Sequence, residues 1–281
     1  MGIRQAVPLR RNHLETAKGA PVSDIREITA RVFSHADIQS VIDGTCLAVH
    51  IPQFIPGLVL ETVREKLVEH PDRGGLSQAS EFQRIGFAFS EISDEASRDR
   101  YYAEARDNIQ RMRDLFAPYA CPSDVLRLLL EEAWGAGAHL LRLDGRKAFI
   151  GICRYQDKNV DLNPHTDALE RNLPAESGHS LKAQLSANIY IDIPESGGEL
   201  ELWGVEPTED EYARLRGERT WGIDRDKVGP PRTVIKPAPG DLLLLNPRQI
   251  HAVRPSGDRP RITLGHFIGF HGEDRPLQLW S

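Results

Sequence analysis

A chain of 281 residues with 40% hydrophobic and 27% charged residues can bury a large core, which excludes a disordered or low-complexity protein. Its formal net charge of -6 comes without any long basic run, so it lacks the electrostatic footprint of a nucleic-acid binder, and no apolar run reaches the ~18 residues of a membrane span. Cys46, Cys121 and Cys153 are odd in number, widely spaced and free of any Cys-x-x-Cys, which argues against disulfides and thiolate zinc and for a reducing cytoplasm.

Residues 1–22 carry no sustained period and are expected to form an arm, followed by a helix-rich support region over 23–146. There, Ile25, Ile28 and Val32 predict a short helix with Ser23 as N-cap. Residues 47–51 read as a strand closed by Pro52, and Leu60, Val63, Leu67 and Val68 place a helix over 58–69. Residues 84–89 alternate as a strand, and Tyr101, Ala105, Ile109, Met112 and Phe116 share one helical face. A further helix runs from Ser123, as N-cap, to Trp134 and stops at Gly135.

From Lys147 to the C-terminus the texture is β. Segments 148–155, 183–193, 198–203, 233–236, 241–245, 251–253 and 261–270 make about seven short strands, the number and spacing of a jelly roll. Residues 204–232 interrupt them as an insertion in which Thr208 and Glu211 form a capping box opening a polar helix; a lid and a solvated excursion both fit. The expected fold is mainly β with a helical N-terminal part, in one structural domain.

Chemistry centres on His165-x-Asp167, where a strand gives way to a loop. An imidazole and a carboxylate two residues apart can face one cation and supply two ligands of a 2-His-1-carboxylate triad. The third candidate is His251, 86 residues on, reached through the turn at Pro239, Gly240 and Asp241 and an apolar strand. Ten and twelve residues further lie Arg261 and Thr263, which a strand sends to one face; a guanidinium fork beside a hydroxyl suits a bidentate carboxylate. Arg259 shares that face and is the alternative anchor.

Together with Gly197, Gly198, Glu199 and Leu200, these motifs resemble the Fe(II)/2-oxoglutarate-dependent dioxygenases, in particular the branch of prolyl hydroxylases and small-molecule hydroxylases. The resemblance spans about residues 148–270. It implies a double-stranded β-helix core, iron held by His165, Asp167 and His251, and 2-oxoglutarate as cosubstrate with its distal carboxylate on Arg261 and Thr263. It also implies O2 as oxidant, ascorbate as an in vitro reductant, and a cosubstrate contact from Tyr155. Related halogenases carry Gly or Ala where this chain has Asp167, so hydroxylation of an unactivated C–H bond, with succinate and CO2 as coproducts, is the implied outcome; desaturation or cyclisation would use the same oxidant.

With no peptide-binding module and no basic run, the expected substrate is a small molecule, an amino acid or an amino-acid-derived metabolite. Arg84 could pair with its carboxylate, Asp161 or Glu170 could meet an ammonium, and Trp203 could form a cavity wall. A peptidyl or protein hydroxylase and a non-catalytic cupin-like metal-binding protein are the rival classes. The latter has no use for Arg261 and Thr263.

Overall fold

The computed structural model of the chain describes residues 23–76, 81–174 and 179–281; the expected arm over 1–22 lies outside them. The first element corrects the sequence expectation. Residues Ser23–Glu27 form not a helix but strand β1, parallel to β2 (Cys46–Ile51), with Ile25 opposite Ala48. Sheet pairing overrides a weak helical period. The helix begins later, as α1 (His35–Ile42), where Ser34 and Asp37 form a capping box.

Next come α2 (Gly57–Val68), the short hairpin β3 (Gly74–Gly75) and β4 (Phe82–Ile85), and α3 (Glu95–Phe116). The strand expected over 84–89 ends at Ile85 because Gly86 turns the chain at φ +100°. Asp94 caps α3 seven residues ahead of the apolar stripe. In α4 (Pro122–Ala133), Pro122 occupies the first turn, so Ser123 is no cap; its hydroxyl lies 2.8 Å from His266 Nε2.

After β5 (Ala138–Leu140) and the hairpin β6 (Arg142–Leu143) and β7 (Arg146–Lys147), the β half follows. It contains β8 (Ile152–Gln156), β9 (Leu162–His165), β10 (Ala183–Asp192) and β11 (Leu200–Leu202). The insertion carries α5 (Glu209–Arg216), opened by the expected Thr208 capping box, and α6 (Arg225–Val228). Strands β12 (Thr233–Ile235), β13 (Leu242–Leu245), β14 (His251–Val253), β15 (Arg261–Phe270) and β16 (Leu277–Trp280) complete the chain.

The strands form two main sheets. The larger has the order β1-β2-β13-β10-β15-β8-β4-β3, with β16 and β5 joined along β15; the smaller has the order β12-β11-β14-β9. Facing each other, they make the double-stranded β-helix. Strand β13 shows how the layers are held: Leu242 and Leu244 pack outward with the helices, while Leu243 and Leu245 pack inward with Tyr190, Leu200 and Val253. A strand buried on both faces needs such an unbroken apolar run. Among the described residues no helix is long and apolar enough to cross a membrane.

Truncating Leu244, fully buried under the helical layer, removes packing that a rigid sheet cannot recover. Leu244→Ala is expected to lower unfolding free energy by about 3 kcal/mol in urea denaturation. A loss below about 1 kcal/mol would mean that helices and sheet are not tightly packed there.

Candidate metal centre and cavity

Strand β9 is the edge of the smaller sheet, and there Pro164, which lacks an N–H, costs no ladder bond. Its partner β14 places His251 directly opposite His165, with ring centroids 4.2 Å apart. Asp167 follows on the loop, fixed by its backbone N–H donating to Pro247 O at 2.8 Å. Its Oδ2 lies 3.9 Å from His165 Nε2 and 3.6 Å from His251 Nε2.

Both imidazoles are oriented in the same way. His165 Nδ1 lies 2.8 Å from Asn163 O and His251 Nδ1 lies 3.0 Å from Gln249 O, each the carbonyl two residues back. A carbonyl only accepts, so Nδ1 carries the proton and Nε2 presents its lone pair to the triad. Burial, followed by the neighbouring His251, pushes the His165 pKa down to about 4, which keeps that ring a neutral donor. At Asp167 burial opposes ionisation, but His251, His165 and Arg154 outweigh it and hold the carboxyl below its ordinary range.

Among the described residues, this is the cluster of His, Cys, Asp and Glu whose ligand atoms converge, all within 4.8 Å of one another. One cation bonded at about 2.0–2.2 Å can bridge atoms at such separations. Two imidazole nitrogens and one carboxylate oxygen on one side leave other positions open, the donor set of non-haem Fe(II). The residues therefore fit the ion.

A cavity of about 330 Å³ opens beside the triad. Its lining includes Arg154, Phe267 and Trp280 from the larger sheet and Tyr212, Arg216, Thr220 and Trp221 from the insertion, which thus forms a wall. The Trp221 ring stands edge-on to His165, centroids 6.2 Å apart. Gly222, at φ +69°, and the bond from Ile223 N–H to Pro164 O at 2.7 Å seat it there. A side chain at Gly222 would press on Asn163 Cβ at 3.1 Å.

Arg261 and Thr263 are buried on β15, where Thr263 stands opposite Tyr190 of β10 and Arg154 of β8. The Arg261 guanidinium carbon lies 5.0 Å over the Tyr190 ring. Arg261 Nε and Tyr190 Oη are buried without hydrogen-bond partners, and among the described residues no carboxylate pairs with Arg261. A buried guanidinium left so is costly, and an anion beside it would offset that cost.

Several expected residues are committed elsewhere. Tyr155 faces away from Arg261, packs under the helices and donates to Leu67 O at 2.5 Å, so the tyrosine beside the arginine is Tyr190. Arg259 donates to Ile193 O at 2.7 Å and approaches Asp192 at 3.4 Å at the hairpin end. Arg84 is held bidentately by buried Glu91 at 2.7 and 2.8 Å, and Glu170 by Arg248 at 2.6 and 2.7 Å. Asp161 takes both branches of Arg225, and Trp203 donates to Gly229 O at 3.0 Å within an apolar cluster. None of these last four lines the cavity.

The family model of the carrier-protein-independent halogenase WelO5 matches residues 24–281. A curated relative, L-gamma-glutamyl-L-propargylglycine hydroxylase of Streptantibioticus cattleyicolor, is 27% identical over 273 residues, covering 90% of this chain and 95% of its own. L-isoleucine 3(1)-dioxygenase of Pantoea ananatis is 25% identical over 150 residues, 49% of this chain and 48% of its own. Among solved structures, an N-substituted L-amino acid dioxygenase from Burkholderia ambifaria AMMD shares the fold at a TM-score of 0.59 and 16% identity, over 88% of this chain and 91% of that one.

If the triad holds iron, His165→Ala, Asp167→Ala and His251→Ala should each weaken Fe(II) binding by more than about a hundredfold in anaerobic equilibrium titration. Near-normal affinity in either histidine variant would reject the triad.

Proposed function

The chain belongs to the family of the carrier-protein-independent halogenase WelO5, within the Fe(II)/2-oxoglutarate-dependent dioxygenases, and from that premise we propose that it hydroxylates a small amino acid or amino-acid-derived molecule. The observation that carries this reading is Asp167, whose carboxylate stands 3.6 and 3.9 Å from the two imidazole Nε2 atoms. A halogenase of this kind needs that corner free for halide. Here a side chain that stays ionised fills it.

The named activities of the two curated relatives, a hydroxylase and a dioxygenase of amino-acid compounds, support the substrate class. A cavity of about 330 Å³ walled by the insertion favours a small molecule over a protein chain. His165, Asp167 and His251 would hold the iron, and Arg261, Thr263 and Tyr190 the distal carboxylate of 2-oxoglutarate. When bound, this pair supplies the O2-dependent oxidant for C–H cleavage, with succinate and CO2 as coproducts.

The remaining steps belong to the protein. Arg261 and Tyr190 offer donors already positioned and dry, so an anion seated there needs little reorganisation. Arg154, whose charge is felt at both Asp167 and Arg261, keeps the metal side of the cavity positive. Trp221 shields His165 from water and fixes how close a substrate can come.

Two outcomes check this reading. Arg261→Ala is expected to weaken 2-oxoglutarate binding to the Fe(II) protein by ~2–5 kcal/mol, far more than Arg259→Ala, in anaerobic calorimetry; the opposite ranking would move the anchor to Arg259. Succinate release, screened over free amino acids and their N-acyl derivatives with Fe(II) and ascorbate, should identify a substrate that gains one oxygen. A chlorine isotope pattern in the main product with chloride present would overturn the hydroxylase assignment.

A further inference from the structure

The charges around the cavity do not balance. Its walls carry three arginines, Arg154, Arg171 and Arg216, against one acid, Asp167, whose charge belongs to the metal ligands. Arg171 is committed: it pairs with Glu209 at 2.8 Å and donates to the Thr166 carbonyl and hydroxyl. Arg154 lies towards the triad, its charge coupled to Asp167 and Arg261 and its guanidinium 5.5 Å over Phe267.

Arg216 is different. It stands on the last turn of α5, with its guanidinium carbon 6.0 Å from the Tyr212 ring centroid. Its Nε is buried without an acceptor, and no acid pairs with it among the described residues. Other arginines of the same insertion are neutralised, Arg219 by Asp224 and Arg225 by Asp161 and Glu201. A guanidinium whose Nε is buried without an acceptor, on the wall of a cavity that already has excess positive charge, is a poor choice for stability. It is well suited to a planar anion.

We propose that Arg216 is a specificity-determining residue that receives a carboxylate of the substrate, so that the molecule oxidised is an acid with a free, ionised carboxylate. This narrows the reading of the site as an iron and 2-oxoglutarate oxygenase and rests on it. It also places selection of the substrate in the insertion, away from the strands that carry the metal ligands. A lysine at 216 would keep the charge but lose the fork, and a glutamine would lose the charge while keeping comparable length.

Anaerobic calorimetry on the full chain loaded with Fe(II) tests this in two arms. The first titrates 2-oxoglutarate; the second, with 2-oxoglutarate present, titrates L-amino acids and N-acetyl-L-amino acids against their carboxamides. The acid that binds best should do so at least tenfold more tightly than its carboxamide. Arg216→Gln should reduce that ratio to within about twofold and Arg216→Lys should leave an intermediate one, both variants keeping wild-type affinity for 2-oxoglutarate. The proposal is overturned if no acid outbinds its carboxamide, if the preference survives Arg216→Gln, or if Arg216→Gln loses 2-oxoglutarate, which would assign Arg216 to the cosubstrate. Failure of the wild-type protein to bind 2-oxoglutarate in the first arm would instead remove the oxygenase reading beneath it.

Discussion

The pairing of His251 with His165 across β14 and β9 is the constraint on which the rest of the site depends. Side chains alternate along a strand, so a slip of one residue would turn one imidazole out of the sandwich and leave Asp167 with a single partner. Two features hold the register. Strand β14 is also paired with β11, where His251 stands opposite Leu202, and Pro247 O receives the N–H of Asp167 just before β14 begins. The imidazoles then need no side-chain partner to orient them, because the backbone two residues back does it for both.

Charge is distributed with equal economy. Away from the triad, arginines meet acids: Arg84 with Glu91, Arg248 with Glu170, Arg73 with Asp157. Those pairs brace loops and strand ends and need nothing from outside. Among the described residues no acid pairs with Arg261, nor with Arg154 and Arg216 on the cavity wall, where Arg171 is the arginine that is matched, by Glu209. The contrast separates arginines that hold the structure from arginines placed for something the chain does not itself contain.

Much of this was legible in the sequence, and the parts that were not have physical causes. The triad could be read because its spacing is local at His165 and Asp167 and because the Pro-Gly-Asp turn before His251 marks where the next strand must run. Arg261 and Thr263 followed from strand parity. Parity failed at β8, where Ile152 to Gln156 is nearly all buried on both faces, so nothing in the pattern distinguished Tyr155, which packs outward, from Arg154, which faces in. Tyr190 was hidden for the same reason, inside a strand buried almost throughout. Arg84, Asp161 and Glu170 looked available because their partners, Glu91 at the end of a 3-10 turn, Arg225 in the insertion and Arg248 in a turn, approach in ways no spacing encodes. At the N-terminus, Ser23–Glu27 became a strand because Cys46–Ile51 offered an edge, a long-range fact invisible to a local period.

Arg225 gives the insertion a particular mechanical status. Its guanidinium clasps Asp161, just ahead of β9, and Glu201 on β11, so the excursion is riveted to the smaller sheet at the strand that bears His165. The two imidazoles of the triad are set by the β9–β14 ladder, whereas the far wall of the cavity is held by ion pairs, backbone bonds at Pro164, Val205 and Leu202, and the apolar contacts of Tyr212, Ile223 and Val228 with Trp203 and Ile250. Sequence drift within 204–232 can therefore recast the shape and charge presented to a guest while the redox machinery stays as it is. A lineage built this way can diversify what it oxidises without reinventing how.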